Sequence, residues 1–104
     1  MEKIDVKREP LLTKDLIAKF EKAEIEGMDN VLIVAKFFFS KSNKNWIWYA
    51  SEFDPENNIF FGYVVGLYNG WKNFSLNELE ISGVKCDKTF KPKLFKYIVI
   101  PTKK

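Results

Sequence analysis

Charged residues alternate through positions 1–9 with little apolar content, which predicts a loose lead-in. The pattern changes at Pro10. Thr13 is a good helix N-cap, because its hydroxyl can accept from an unpaired amide of the first turn, and Asp15 follows where the helix dipole favours an anion. Leu16, Ile17, Phe20 and Ala23, with Ile25 beyond them, recur on one helical stripe, while Lys14, Lys19, Glu21, Lys22, Glu24 and Glu26 supply the wet side. Gly27 is a natural stop. The spacing predicts a helix over 14–26.

Helical periodicity then gives way to β-branched and aromatic runs. Residues 31–40 read as a buried strand, 46–53 as a second and 59–67 as a third. The polar stretch 41–45 separates the first two. Asp54-Pro55-Glu56-Asn57-Asn58 separates the next pair as a turn: Pro55 presets φ, Asp54 can bond back to the backbone, and an Asn tolerates the left-handed region. Asn69-Gly70 is a strong short hairpin signal leading into a strand over 71–74. Ser75-Leu76-Asn77-Glu78 spells a capping box, so a short helix starts after Ser75. A last extended piece is expected over 95–100, after Pro92. Short turns make neighbouring strands antiparallel. The expected architecture is α+β: an antiparallel sheet of four to five strands, one N-terminal helix on one face and a short second helix.

Strand alternation assigns side chains to faces. In the second strand Trp46, Trp48, Ala50 and Glu52 share one face, and Ile47, Tyr49, Ser51 and Phe53 the other. In the third, Ile59, Phe61, Tyr63, Val65 and Leu67 oppose Phe60, Gly62, Val64 and Gly66. Two glycines on one face mark a close approach by Trp46, Trp48, the helix or a ligand, with protein groups the favoured occupant. A helix covers one face only, and a monomer seldom leaves large rings exposed on the other without using them. The face opposite the helix, bearing some of Trp48, Tyr49, Phe61 and Tyr63, is therefore the candidate partner-binding surface.

Composition narrows the chemistry. With 104 residues, 46% hydrophobic and 30% charged, the chain is long and apolar enough for one folded domain, expected over 10–100 with a basic tail at 101–104. The absence of histidine excludes His-based triads, His metal sites and imidazole switches, and a single cysteine, Cys86, excludes an intrachain disulfide or a cysteine zinc cluster. Cys86 itself, without a histidine or a second cysteine, reads as a bystander. Residues 1–5 have no apolar core, and the longest apolar stretch, 31–39, is broken by Lys36. Neither a secretory signal nor a membrane span is expected, and the cytoplasm is the expected compartment.

The net charge of +3 hides an asymmetry. Residues 85–104 hold seven lysines against Asp87 alone, a net +6, whereas the ten bases and thirteen acids of 1–84 sum to −3. Lys85, Lys88, Lys91, Lys93 and Lys96 form a candidate basic patch that could meet a phosphate backbone or an acidic protein, although a lysine-rich solvated face is the simpler reading. Glu52 and Asp54, two apart at a strand end, are weak catalytic candidates, since Asp54-Pro55 already has a turn role. No phosphate loop, dinucleotide fingerprint or zinc-finger spacing occurs, and no cofactor or metal is expected.

Several blocks resemble, in order, a family of small proteins catalogued as domain-of-unknown-function family 2958. They are Leu11-Leu12-Thr13, the stretch from Trp48 to Pro55, Phe60-Phe61-Gly62-Tyr63-Val64, the stretch from Phe74 to Glu80, and Phe90-Lys91-Pro92. The likeness spans about residues 10–95, with departures at 68–72 and in the lysine-rich tail. It implies a bacterial, phage or plasmid setting on mobile elements and supplies no catalytic residues. The sequence reading is thus a non-catalytic protein-interaction, accessory or inhibitor module, with nucleic-acid binding second, a carboxylate-dependent hydrolase or nuclease third, and a homodimer a further way to cover the rings.

Overall fold

The computed structural model describes residues 11–23, 31–41 and 44–98. Helix α1 (Lys14–Ala23) precedes strands β1 (Leu32–Ile33), β2 (Ala35–Lys41), β3 (Lys44–Asp54), β4 (Ile59–Val65) and β5 (Gly70–Ser75). Helix α2 (Leu76–Ile81), strands β6 (Lys85–Cys86) and β7 (Lys93–Leu94), and a 3-10 turn at Phe95–Tyr97 follow. The fold is α+β. A five-stranded antiparallel sheet has the order β5-β4-β3-β2-β6, and β1 pairs with β7 in a separate two-stranded sheet. No helix among the described residues is long and apolar enough to cross a membrane.

Local signals act where they were expected. The Thr13 hydroxyl accepts from the Leu16 amide at 3.2 Å and caps α1. Its predicted end over 24–26 and the stop at Gly27 lie outside the described residues, as do the lead-in and the basic tail. Ser75 caps α2 by accepting from the Glu78 amide at 3.2 Å. At the β3–β4 turn, Asn58 takes the left-handed conformation with φ 55°. The Asp54 carboxylate accepts from the Glu56 amide at 3.0 Å and the Asn57 side chain at 2.9 Å.

Four expectations are corrected. The run at 31–40 is two strands, because the chain changes layer at Val34. The Val34 amide donates to the Ala50 carbonyl, whereas Leu32 and Ile33 pair with β7. Asn69-Gly70 makes no tight two-residue turn: Gly70 already pairs with Val64, and the Asn69 side chain closes a wider loop by accepting from the Gly66 amide at 3.1 Å. The extended piece expected from Phe95 is a 3-10 turn, with Ile98 donating to the Phe95 carbonyl; positions 99 and 100 lie outside the described residues. The fourth concerns face alternation in β3. Ala50 pairs with Gly62 and Glu52 with Phe61, so Ser51 is the extra residue of a β-bulge. Its buried hydroxyl donates to the Phe61 carbonyl at 3.1 Å. Beyond the bulge the faces swap, which sends Phe53 to the helix side and Glu52 to the far side.

The sheet therefore has a core on each face. On the helix side, Phe20 of α1 meets Phe60 at 5.8 Å and Phe53 at 6.1 Å, and Phe60 also contacts Phe37 and Phe74. Leu11, Val34, Leu79 and Val84 close this cluster. On the far side, Ile33, Tyr49 and Val65 are buried against Ile47, Tyr63, Phe90 and Phe95. The segment after β6 thus covers much of the face that one helix leaves bare.

Candidate functional site

The space beside Gly62 in β4 and beside Gly66 just after it is filled by the protein itself. A β-carbon on Gly66 would occupy the space of the Trp46 ring, and one on Gly62 would run into the Tyr49 carbonyl. Trp46 in turn stacks on Trp48 at 5.9 Å.

The four predicted partner-binding rings do not form one surface. Trp48 pairs across from Val64 and packs with the helix-side core, so it lies on the face opposite the other three. Tyr49 is buried, with Phe90 at 6.4 Å and the Lys36 ammonium 5.9 Å from its ring. Burial, and then the nearby Asp87 carboxylate, push the Tyr49 phenol above its ordinary pKa. Phe61 and Tyr63 come together half-buried in a cluster with two rings outside the predicted set. Trp71 stacks on Phe61 at 5.8 Å and meets Tyr63 edge-on at 5.2 Å, and Phe95 lies 4.9 Å from Tyr63 and 4.8 Å from Trp71.

The large apolar groups left in contact with solvent are mostly at this end of the molecule. Trp71 is 40% exposed, Leu67 and Tyr68 in the β4–β5 loop are 71% and 76% exposed, and Tyr97, two residues beyond Phe95, is 66% exposed. The exception is Ile81 at the end of α2. The sequence carried a signal for Leu67 and Tyr68, since two large apolar residues occupied a stretch bounded by Gly66 and Asn69-Gly70. Trp71 and Tyr97 had no such mark, because their exposure depends on where the chain after β6 settles.

The basic patch divides. Lys85 lies on β6, at the opposite sheet edge from β5, about 19 Å away at one strand spacing per step. Lys91, Lys93 and Lys96 are exposed on the covering segment. The Lys93 ammonium sits 5.7 Å from the Phe90 ring centre and that of Lys96 sits 5.4 Å from the Tyr97 ring centre. Both contacts are made within the covering segment itself, which reaches the hairpin rings through Phe95, 4.8 Å from Trp71. Lys88 is exposed beside Asp87, whose carboxylate accepts from the Thr89 hydroxyl and amide and lies 3.8 Å from Lys36. The Thr89 hydroxyl holds the Asp87 carboxyl below the usual carboxylate range, against a smaller opposing effect of burial.

Glu52 and Asp54 do share a depression of about 360 Å³, with Phe53, Asn57, Phe61 and Asn73 among its lining residues. Both carboxylates are exposed, and both oxygens of Asp54 are engaged by its own turn. The Asn57 side chain, then the Glu56 amide, hold the Asp54 carboxyl below its ordinary value. An acid–base residue needs a pKa near the working pH, and this is the opposite shift. Among the described residues no three acidic or cysteine side chains converge as a metal site would require. A second cavity of about 270 Å³ lies between α1 and the β6 region, with Cys86 on its wall. Burial raises the pKa of that thiol, which keeps it protonated and unreactive.

No family model, curated protein or solved structure matches the chain.

Proposed function

We propose that this protein is a non-catalytic module that binds another protein through the end of the sheet formed by the β4–β5 hairpin and the segment around Phe95. The observation that carries this reading is exposed Trp71 held in place by a ring cluster, with exposed Leu67 and Tyr68 in the loop leading into its strand and exposed Tyr97 two residues beyond its neighbour Phe95. Exposed Trp and Tyr on a rigid base are the groups that dominate protein interfaces, and Leu67 adds an aliphatic contact that a stacked base would not use. A cytoplasmic accessory or inhibitor of mobile-element origin, as the family likeness implies, belongs to the same proposal.

The test is affinity capture from a bacterial lysate, with and without nuclease, using the native chain and a Trp71→Ala variant shown to be folded by circular dichroism. The expected result is a protein retained after nuclease by the native chain and lost by the variant. A second reading, nucleic-acid binding, draws on Lys96 lying beside the exposed Tyr97 ring, with Lys93 nearby over the half-buried Phe90. Its mark would be capture that disappears with nuclease.

A further inference from the structure

We propose that the outer edge of β5 is the docking edge, and that its occupant is an extended acidic segment of the partner protein, added to the sheet as its next strand. The inference rests on the protein-interaction reading above and names the chemistry and geometry of the partner.

Three observations lead to it. First, β5 ends the strand order. It pairs with β4 on one side, and no described strand lies along the other, so a row of main-chain donors and acceptors is presented over Gly70–Ser75. Strand addition satisfies such a row, and pockets for alternate side chains then supply selectivity. Second, side chains suited to grip an added strand stand along that edge on both faces. Trp71 projects with Tyr63 on the far face, next to Phe95 and the Phe95–Tyr97 turn, while Lys72 pairs across from Gly62 on the helix side and is exposed.

The third observation is charge. Residues 57–77, which contain β4, its loop and β5, hold no carboxylate and one base, Lys72. Residues 88–98, which lie against them through Phe95, hold no carboxylate and four bases, Lys88, Lys91, Lys93 and Lys96. Glu52 and Asp54, on β3 two strands in from this edge, are level with Asn73 and Ser75, and Glu78 follows in α2. The cationic part of the edge is therefore its Gly70–Lys72 half, beside Phe95 and Lys96. A second copy of this chain would bring the same cations to the edge and repel itself. An acidic segment with an aromatic or large aliphatic residue for the Trp71 side meets both the charge and the rings.

The experiment selects from a random dodecapeptide library displayed on phage, panned against the intact chain. Enriched peptides should carry more Asp and Glu than Lys and Arg, and should alternate apolar with polar residues. The best peptide, made synthetically, should bind more weakly as salt rises and about tenfold more weakly to a Lys72→Glu/Lys96→Glu variant. Two versions of it, N-methylated on alternate amides in the two possible phases, should differ sharply, because only one phase removes the donors that face β5. Enriched peptides without an acidic excess, equal binding by both methylated phases, or no enrichment would overturn the docking mode. Trp71-dependent capture of a protein would then still stand. If oligothymidylate bound more tightly than any peptide, this inference and the protein reading would both fall. A dimer in sedimentation that Trp71→Ala dissociates would also overturn the inference, by giving the edge to a second copy.

Discussion

Gly62 and Gly70 stand in adjacent strands, yet the same substitution should have opposite effects at the two positions. A β-carbon at Gly62 meets the main chain of Tyr49 and Ala50, which cannot swing away, whereas one at Gly70 meets nothing within 4 Å. Gly62→Ala should therefore cost about 1–3 kcal/mol, as overpacked sites do. Gly70 does not lie in the left-handed region, so Gly70→Ala should be neutral or gain up to about 1 kcal/mol by restricting the unfolded chain. Urea denaturation of the two variants checks the pair. Ionisable residues define a second test. Unfolding frees Tyr49 and Cys86 to ionise at their ordinary values, near 10 and 9, while the folded chain holds both higher. Their contribution is complete below the unfolded values and declines as pH rises through the folded ones. Thermal stability should accordingly fall in the alkaline range, less steeply for a Cys86→Ala variant than for the native chain. At the acid end the sign reverses. Asp54 and Asp87 titrate lower when folded, so their contribution is present above the ordinary carboxylate range and is lost as pH drops through the folded values. Asn57→Ala should move the Asp54 midpoint upward in an NMR titration.

At the scale of elements, helix α2 shows what a local signal accomplishes. Six residues are too few to hold a helix by themselves. The Ser75 hydroxyl anchors the first turn, the Leu76 amide donates to the Asn58 carbonyl, and Leu79 is buried in the helix-side core. Ser75→Ala should cost about 1 kcal/mol, seen as a lower melting temperature with faster hydrogen exchange confined to α2. This cap was legible because every participant lies within four residues, as was the Thr13 cap of α1. The features that escaped sequence reasoning are held together over long distances. Strand β6 is two residues long and exists because Phe37 and Phe38 lie opposite it. The layer change at Val34 needs a carbonyl sixteen residues away. The bulge at Ser51 inserts one residue, which reverses the face of all that follow in the strand. Strict alternation consequently gave the right faces up to Ala50 and the wrong ones for Glu52 and Phe53.

The molecule as a whole is a sheet held between two cores of unequal kind. Helix-side packing involves nearly every long strand and both helices through Phe37 and Phe60, both fully buried, so Phe60→Ala should cost about 3–5 kcal/mol and leave little folded protein. Far-side packing depends on one segment of chain with little regular structure, lying across Tyr49 through Phe90 and across Tyr63 and Trp71 through Phe95. That segment is also why the candidate surface was only partly legible: the excess of rings was plain in the sequence, but which would stay exposed depended on lysine-rich chain whose solvated charges hid its two anchoring phenylalanines. The asymmetry sets the last expectation. Phe95 is half-buried, and Phe95→Ala removes contacts to two rings without touching the helix-side cluster. The cost should be about 1.5–3 kcal/mol, with far-ultraviolet circular dichroism preserved and near-ultraviolet signal from Trp71 and Tyr63 reduced. Amide exchange should quicken in β1 and β7 and stay slow in β3 and β4. The same variant should lose partner capture together with Trp71→Ala, since a Trp no longer braced by Phe95 presents its ring in many orientations. Uniformly faster exchange across β3 and β4 would mean instead that the two cores melt as one, and that the far face is as much a part of the folding unit as the helix.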